Sequence, residues 1–151
     1  MELLRKLAHF NPPIEDMKTI YISYIRSILE QSSNIWHSGL AVEDRISLER
    51  VQKNAFRNII QDKYITYEEA FKDLNLETLF ARREKLLLKF GKKCTVLPQT
   101  KTLFPVNNKK LLMDLRKTEK YHVINLHTSR LKNSTVAYIQ RLLKEENSKL
   151  S

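Results

Sequence analysis

Residues 14–35 read IEDMKTIYISYIRSILEQSSNI, and the spacing of their apolar side chains decides the fold class. Ile14, Met17, Ile20, Tyr21, Tyr24, Ile25, Ile28 and Leu29 recur at intervals of three and four. That is the period of one helix face, whereas a strand would alternate at two. The isoleucines and tyrosines suit a strand locally, but the helical period holds over four turns. Glu15 and Asp16 stand in the first turn, where the helix dipole favours acids. The spacing therefore predicts a helix from about Ile14 to Ile35. Trp36 continues the apolar line from Leu29 through Ser32 and reads as packing rather than as a stacking platform.

Other helices follow on either side. Leu3, Leu4, Leu7 and Phe10 share one face of a short helix that ends at Asn11-Pro12-Pro13, because proline lacks an N–H and restricts the residue before it. Ser38-Gly39 marks a turn. A helix from about Ala41 to Gln61 presents Val42, Ile46, Leu48, Val51, Ala55, Phe56, Ile59 and Ile60. Thr66-Tyr67-Glu68-Glu69 has the spacing of a capping box, with Tyr67, Ala70, Phe71 and Leu74 behind it as a buried stripe. A helix from about Thr78 to Cys94 turns Leu79, Phe80, Leu86, Leu87 and Phe90 inward. After Cys94 the pattern decays to about Lys132, with a short helix expected near Lys109–Leu115. A last amphipathic helix spans Ser134 to Glu146, with Val136, Ile139, Leu142 and Leu143 on its apolar side. The expected fold is all-α: a small bundle of about five helices over 1–96, a basic irregular segment over 97–133 and a C-terminal amphipathic helix over 134–147.

The glycine count agrees with this class. The 151 residues contain only 2 glycines, where average usage would give about ten. Gly-rich phosphate loops, dinucleotide fingerprints and nucleophile elbows each need several at fixed spacing, so none can be built. The single cysteine, Cys94, excludes an internal disulfide and suits a reducing compartment. No apolar run approaches the roughly 18 residues of a membrane span. Glu2, Arg5 and Lys6 interrupt the N-terminal apolar positions, unlike a signal peptide. An intracellular protein, nuclear or cytoplasmic, is expected.

The net charge of +10 is unevenly placed. Residues 1–75 hold 10 basic and 11 acidic side chains, whereas residues 76–151 hold 17 and 6. Clustered basicity favours polyanionic partners, nucleic acid first. Arg82, Arg83, Lys85, Lys89, Lys92 and Lys93 lie on slightly more than three turns of one helix, a stripe able to follow a phosphate backbone without reading bases.

Catalytic and metal chemistry find little footing. Glu15/Asp16, Glu43/Asp44, Glu68/Glu69 and Glu145/Glu146 are adjacent pairs, about 100° apart on a helix, and do not converge as acid/base pairs must. His9, His37, His122 and His127 show no i, i+4 pairing, and read as surface or interfacial side chains rather than metal ligands. Cys94 follows Lys92-Lys93 but has no histidine or acid near it, and reads as core. No catalytic residue, metal or cofactor is expected.

Tyr24-Ile25-Arg26-Ser27-Ile28-Leu29-Glu30-Gln31, Trp36-His37, and Leu48-Glu49-Arg50-Val51-Gln52-Lys53-Asn54-Ala55 with Arg57-Ile59-Ile60 form a more specific set. Leu4-Arg5-Lys6-Leu7, Tyr67-Glu68-Glu69-Ala70 and Arg82-Arg83-Glu84 extend it. With these motifs the chain resembles the thumb and post-thumb region of a non-LTR retrotransposon reverse transcriptase, jockey-like in kind. The resemblance covers about residues 1–95 and continues weakly to Tyr138-Ile139-Gln140-Arg141. The family's palm carries a Tyr/Phe-x-Asp-Asp motif, and no Asp-Asp occurs here. The resemblance thus implies a catalytically incomplete, thumb-like fragment holding an RNA–DNA or DNA duplex by its backbone. Carried over, that grip would fall on Lys6, Lys18 or Arg26 and on the Arg50, Lys53 and Arg57 face, in conflict with the 82–93 stripe. The alternative is a structural or protein-interaction fragment whose apolar face, orphaned from a palm, takes a protein partner or a second copy. A membrane-surface role is not expected, because the polar faces outside 82–132 carry acids as well as bases.

Overall fold

A computed structural model describes residues 2–105 and 127–149, and no strand occurs among the described residues. The fold is all-α. The short helix expected near Lys109–Leu115 lies outside the described residues. The chain packs as two units, one from residues 1–33 and 40–83 and the other from 34–39 and 84–151. Their boundary falls inside a helix, between Arg83 and Glu84. Burial switches partners along one uninterrupted helix, which no local break in the sequence marks.

Unit 1 begins with α1 (Glu2–Ala8), which buries Leu4 and leaves Leu3 and Phe10 exposed. Asn11 turns the corner with φ of 53°, and α2 (Ile14–Ile20) starts after Pro13. The predicted single helix from Ile14 to Ile35 is corrected in two ways. Residues Tyr21–Arg26 widen into π turns before α3 (Ser27–Glu30) resumes the α form. The helix then stops, because Ser32 takes a φ of 54°, before α4 (Ser33–Trp36) and a 3-10 turn at His37–Gly39. Corners at Asn11, Ser32, Gln61 and Asn75 all use left-handed φ on non-glycine residues, which is how so glycine-poor a chain turns.

The long α5 (Val42–Ile60) buries Ala55, Phe56, Ile59 and Ile60, as its periodicity predicts, half-buries Leu48 and Val51, and also buries Gln52, which the periodicity does not include. Its first apolar residues, Val42 and Ile46, stay exposed. The short α6 (Tyr67–Leu74) is capped by Thr66, whose hydroxyl oxygen accepts from the Glu69 N–H at 3.2 Å. The other half of the box is altered: the Thr66 hydroxyl donates to the Glu69 carboxylate at 3.0 Å. Asn75 closes α6 in the left-handed region, with Asn75 N–H bonded to Lys72 and Leu76 N–H to Phe71, the paired pattern that satisfies the last carbonyls. Leu4, Met17, Tyr21, Ala55, Phe56, Ile59, Ile60, Ala70 and Leu74 make one core.

The helix α7 (Leu79–Val96) is followed by α8 (Pro98–Lys101), α9 (Ser129–Lys132) and α10 (Thr135–Lys149). In unit 2, Leu87, Cys94, Phe104, Ile139 and Leu143 form a second core, which places Cys94 inside as its spacing suggests. Phe90, expected inward, is exposed. The buried line on α7 runs through Leu87, Gly91 and Cys94 instead, because Gly91 lies against Ile139 and draws that line toward α10. His37, expected at the surface or an interface, is 1% exposed and edge-on to Tyr138 at 5.8 Å.

A Cβ on Gly91 would collide with Cγ2 of Ile139. Gly91→Ala is expected to destabilise unit 2 by about 1–3 kcal/mol, since a packed interface resists added volume. Trp36, the chain's one tryptophan, lies in unit 2 and reports the transition by fluorescence. Adding Ile139→Ala should make the double variant lose less than the sum of the two single losses. Strict additivity would remove the collision as the cause.

Candidate nucleic-acid interface

One face of α5 is spent on the core, so the residues between must look away from it. Arg50, Asn54 and Arg57 are exposed, with Lys53 and Asn58 half-buried beside them. No acid interrupts the line from Arg50 to Asn58. Arg50, Lys53 and Arg57 follow one another at three and four positions, about one per helical turn of 5.4 Å. Two of these cations are propped on aromatic rings: Lys53 Nζ sits 5.9 Å from the Tyr67 centroid, and the Arg57 guanidinium 5.5 Å from that of Tyr64.

Two hollows flank this line, both within unit 1. The larger, about 470 Å³, is lined by Arg45, Ile46, Glu49, Arg50, Lys53, Tyr67 and Phe80. The smaller, about 290 Å³, is lined by Glu2, Arg5, Asn54, Arg57 and Asn58. Glu49 ties the larger together. Its carboxylate accepts from the Tyr67 hydroxyl at 3.2 Å and from the Phe80 N–H at 2.8 Å. The second bond satisfies an N–H in the first turn of α7, and Thr78 accepts from the next, Ala81, at 3.1 Å. The Arg45 guanidinium lies 5.3 Å from the Phe80 ring centroid.

The 82–93 stripe divides in character along α7. Arg83 is fully buried and so does not face solvent. Burial weakens its hold on the proton, opposed by the nearby charges of Glu49 and Glu30. Arg82 pairs through Nε with Glu30 at 2.5 Å and through a terminal nitrogen with Glu77 at 3.9 Å. Arg26 approaches the same Glu30 carboxylate at 3.7 Å, with its side chain only 12% exposed. These three arginines belong to an internal charge cluster of unit 1. Lys85, Lys89 and Lys93, in unit 2, are exposed at four-residue spacing, and Lys92 is exposed but paired to Glu146 at 2.6 Å. Lys6 is exposed on α1, and Lys18 lies 3.4 Å from Glu15.

Spacing alone misses Arg5, Arg45, Glu49, Tyr67 and Phe80 as members of one surface. They come from α1, α5, α6 and α7, and only packing joins them. Arg83 is different, since a signal exists: Leu79, Arg83 and Leu87 fall at four-residue intervals, on the line that is buried.

Burial raises the phenol pKa values of Tyr21 and Tyr67, the first against the opposing effect of Arg26, the second with added help from the Glu49 charge and hydrogen bond. Free phenols ionise near 10.0. Above that pH the folded chain keeps protons that the unfolded chain releases, so the stability of unit 1 should fall as pH rises past 10. Urea midpoints measured from pH 9 to 11 should decline, and Tyr21→Phe should reduce the decline. An unchanged decline in that variant would refute the assignment.

No helix among the described residues is long and apolar enough to cross a membrane. No protein-family model, curated protein or solved structure matches the chain.

Proposed function

We propose that this chain binds nucleic acid through backbone phosphates, without sequence preference and without catalysing a reaction, and that the α5 face of unit 1 makes the principal contact. The observation that carries this reading is the line of Arg50, Lys53 and Arg57, its two arginines exposed and its lysine half-buried, with no acid between them. Cations at one-turn intervals meet successive phosphates, and each contact releases condensed counterions. Arg5, beside Arg57 in the smaller hollow, is paired to Glu2 at 3.0 Å and adds little net charge to the line. Lys85, Lys89 and Lys93 offer a further stripe on unit 2. The resemblance to a reverse-transcriptase thumb supports the same grip on duplex backbone, with the α5 positions as its contacts.

Binding of a labelled RNA–DNA duplex, followed by anisotropy from low to moderate salt, tests the reading. Log affinity should fall linearly with log salt, with a slope of about −2 to −3 or steeper for three or more phosphate contacts. Affinity no greater than that of a neutral control protein would overturn it.

A second reading, protein interaction without nucleic acid, has its own observation. Tyr24 and Ile28, four residues apart, are 64% and 69% exposed. Salt-resistant self-association without duplex binding would favour it.

A further inference from the structure

We propose that the larger hollow of unit 1 receives one unpaired base of a single-stranded nucleic acid while Arg50, Lys53 and Arg57 hold that strand's phosphates. This rests on the phosphate-binding reading and adds a ligand preference to it. The hollow measures about 470 Å³, within the ~300–1,000 Å³ of small-molecule sites and too large for a bare phosphate contact.

Its walls suit a flat, weakly polar group. Phe80 and Ile46 supply apolar surface, and Arg45 lines the hollow with its guanidinium against the Phe80 ring. Guanidinium planes and aromatic rings are the surfaces on which unpaired bases stack, and every base has a face to offer. Charge complementarity orients the guest. Arg50 and Lys53 line both the hollow and the α5 cation row, so a strand whose phosphates lie on that row has a base beside the opening. Glu49 accepts two donors, but a carboxylate offers about four acceptor positions, leaving room for an N–H from a base edge.

A base paired within a duplex cannot enter without being flipped out, at an unstacking cost. The hollow therefore predicts preference for single strands, or for junctions with an unpaired base, over a blunt duplex. Base stacking on such platforms is worth about 1–3 kcal/mol, or about 5- to 150-fold in affinity.

The test compares a labelled single-stranded oligonucleotide with an abasic strand of equal length and charge, both titrated across salt. The base-bearing strand should bind the wild-type chain at least about fivefold more tightly. Ile46→Gln, at a position 47% exposed, should put a polar side chain in place of an apolar wall of the hollow and reduce that difference while leaving the salt slope in place. Phe80→Ala gives a second route to the same loss, and circular dichroism confirms that each variant is folded. Equal binding of the two strands with a steep salt slope would overturn the base site and leave the phosphate reading intact. Absence of salt-dependent binding to both strands would overturn both.

Discussion

Replacing Glu30 by alanine is expected to destabilise unit 1 by about 1–3 kcal/mol, because this largely withdrawn carboxylate serves two arginines at once. Glu30 ends α3 with its side chain 13% exposed, 2.5 Å from Arg82 and 3.7 Å from Arg26. Its charge also opposes the desolvation of the fully buried Arg83. Without it, Glu49 is left as the acid acting on Arg83, and Glu77 as the one near Arg82. The loss exceeds that of an exposed pair, about 0–1 kcal/mol, because water reaches these groups only in part. A double-mutant cycle with Arg82→Gln isolates the pair, and urea denaturation followed by far-UV dichroism measures it. A Glu30→Ala loss below about 1 kcal/mol would mean the cluster behaves as a surface pair.

Phe56→Ala should cost more, about 3–5 kcal/mol, by a different mechanism. Phe56 is fully buried on α5, and three rings surround it. Tyr21 stands 5.9 Å away edge-on, Phe71 5.3 Å away edge-on, and Tyr67 5.6 Å away and tilted. Truncation removes apolar burial and leaves a cavity that rings on two separate helical segments cannot close together. Tyr67 leans on this cavity and also lines the larger hollow. Phe56→Ala should therefore weaken base-bearing strands more than abasic ones. Urea midpoints give the first effect and the two-strand comparison the second. A loss under 1 kcal/mol would show that the core collapses around the gap.

The two losses mark where the sequence was readable. The burial of Phe56 follows from α5 periodicity, since Ala55, Phe56, Ile59 and Ile60 recur on one face. The capping of α6 follows from Thr66 and Glu69, three residues apart. The pairing of Glu30 with Arg82 does not, because 52 residues separate them. Arg83 shows how two sequence signals can disagree. Its spacing from Leu79 and Leu87 points inward, while its side chain argues for solvent. The compensating acids, Glu30 and Glu49, lie on other helices, so the contest is decided by packing. The break at Ser32 was hidden for a related reason: a polar Gln31-Ser32-Ser33 run fits a helix surface as well as a corner.

The candidate interface was legible in part. Arg50, Lys53 and Arg57 came from the family resemblance alone, whereas the 82–93 stripe, read from helical spacing, assumed that every cation on α7 meets solvent. Arg82 and Arg83 turn into unit 1 instead, and Lys92 is paired to Glu146. The hollow beside α5 had no sequence signature, since Tyr67 and Phe80 reach it from separate helices.

The most direct measurement compares the salt dependence of duplex binding by the wild-type chain with that of a variant carrying Arg50→Glu, Lys53→Glu and Arg57→Glu. All three substitutions lie on exposed or half-buried positions of α5, away from the buried Phe56 and Ile59. The variant should remain helical, bind more weakly at low salt, and lose about 2–3 from the magnitude of its log–log slope. A folded variant with the wild-type slope would contradict the account and move the phosphate contacts off α5.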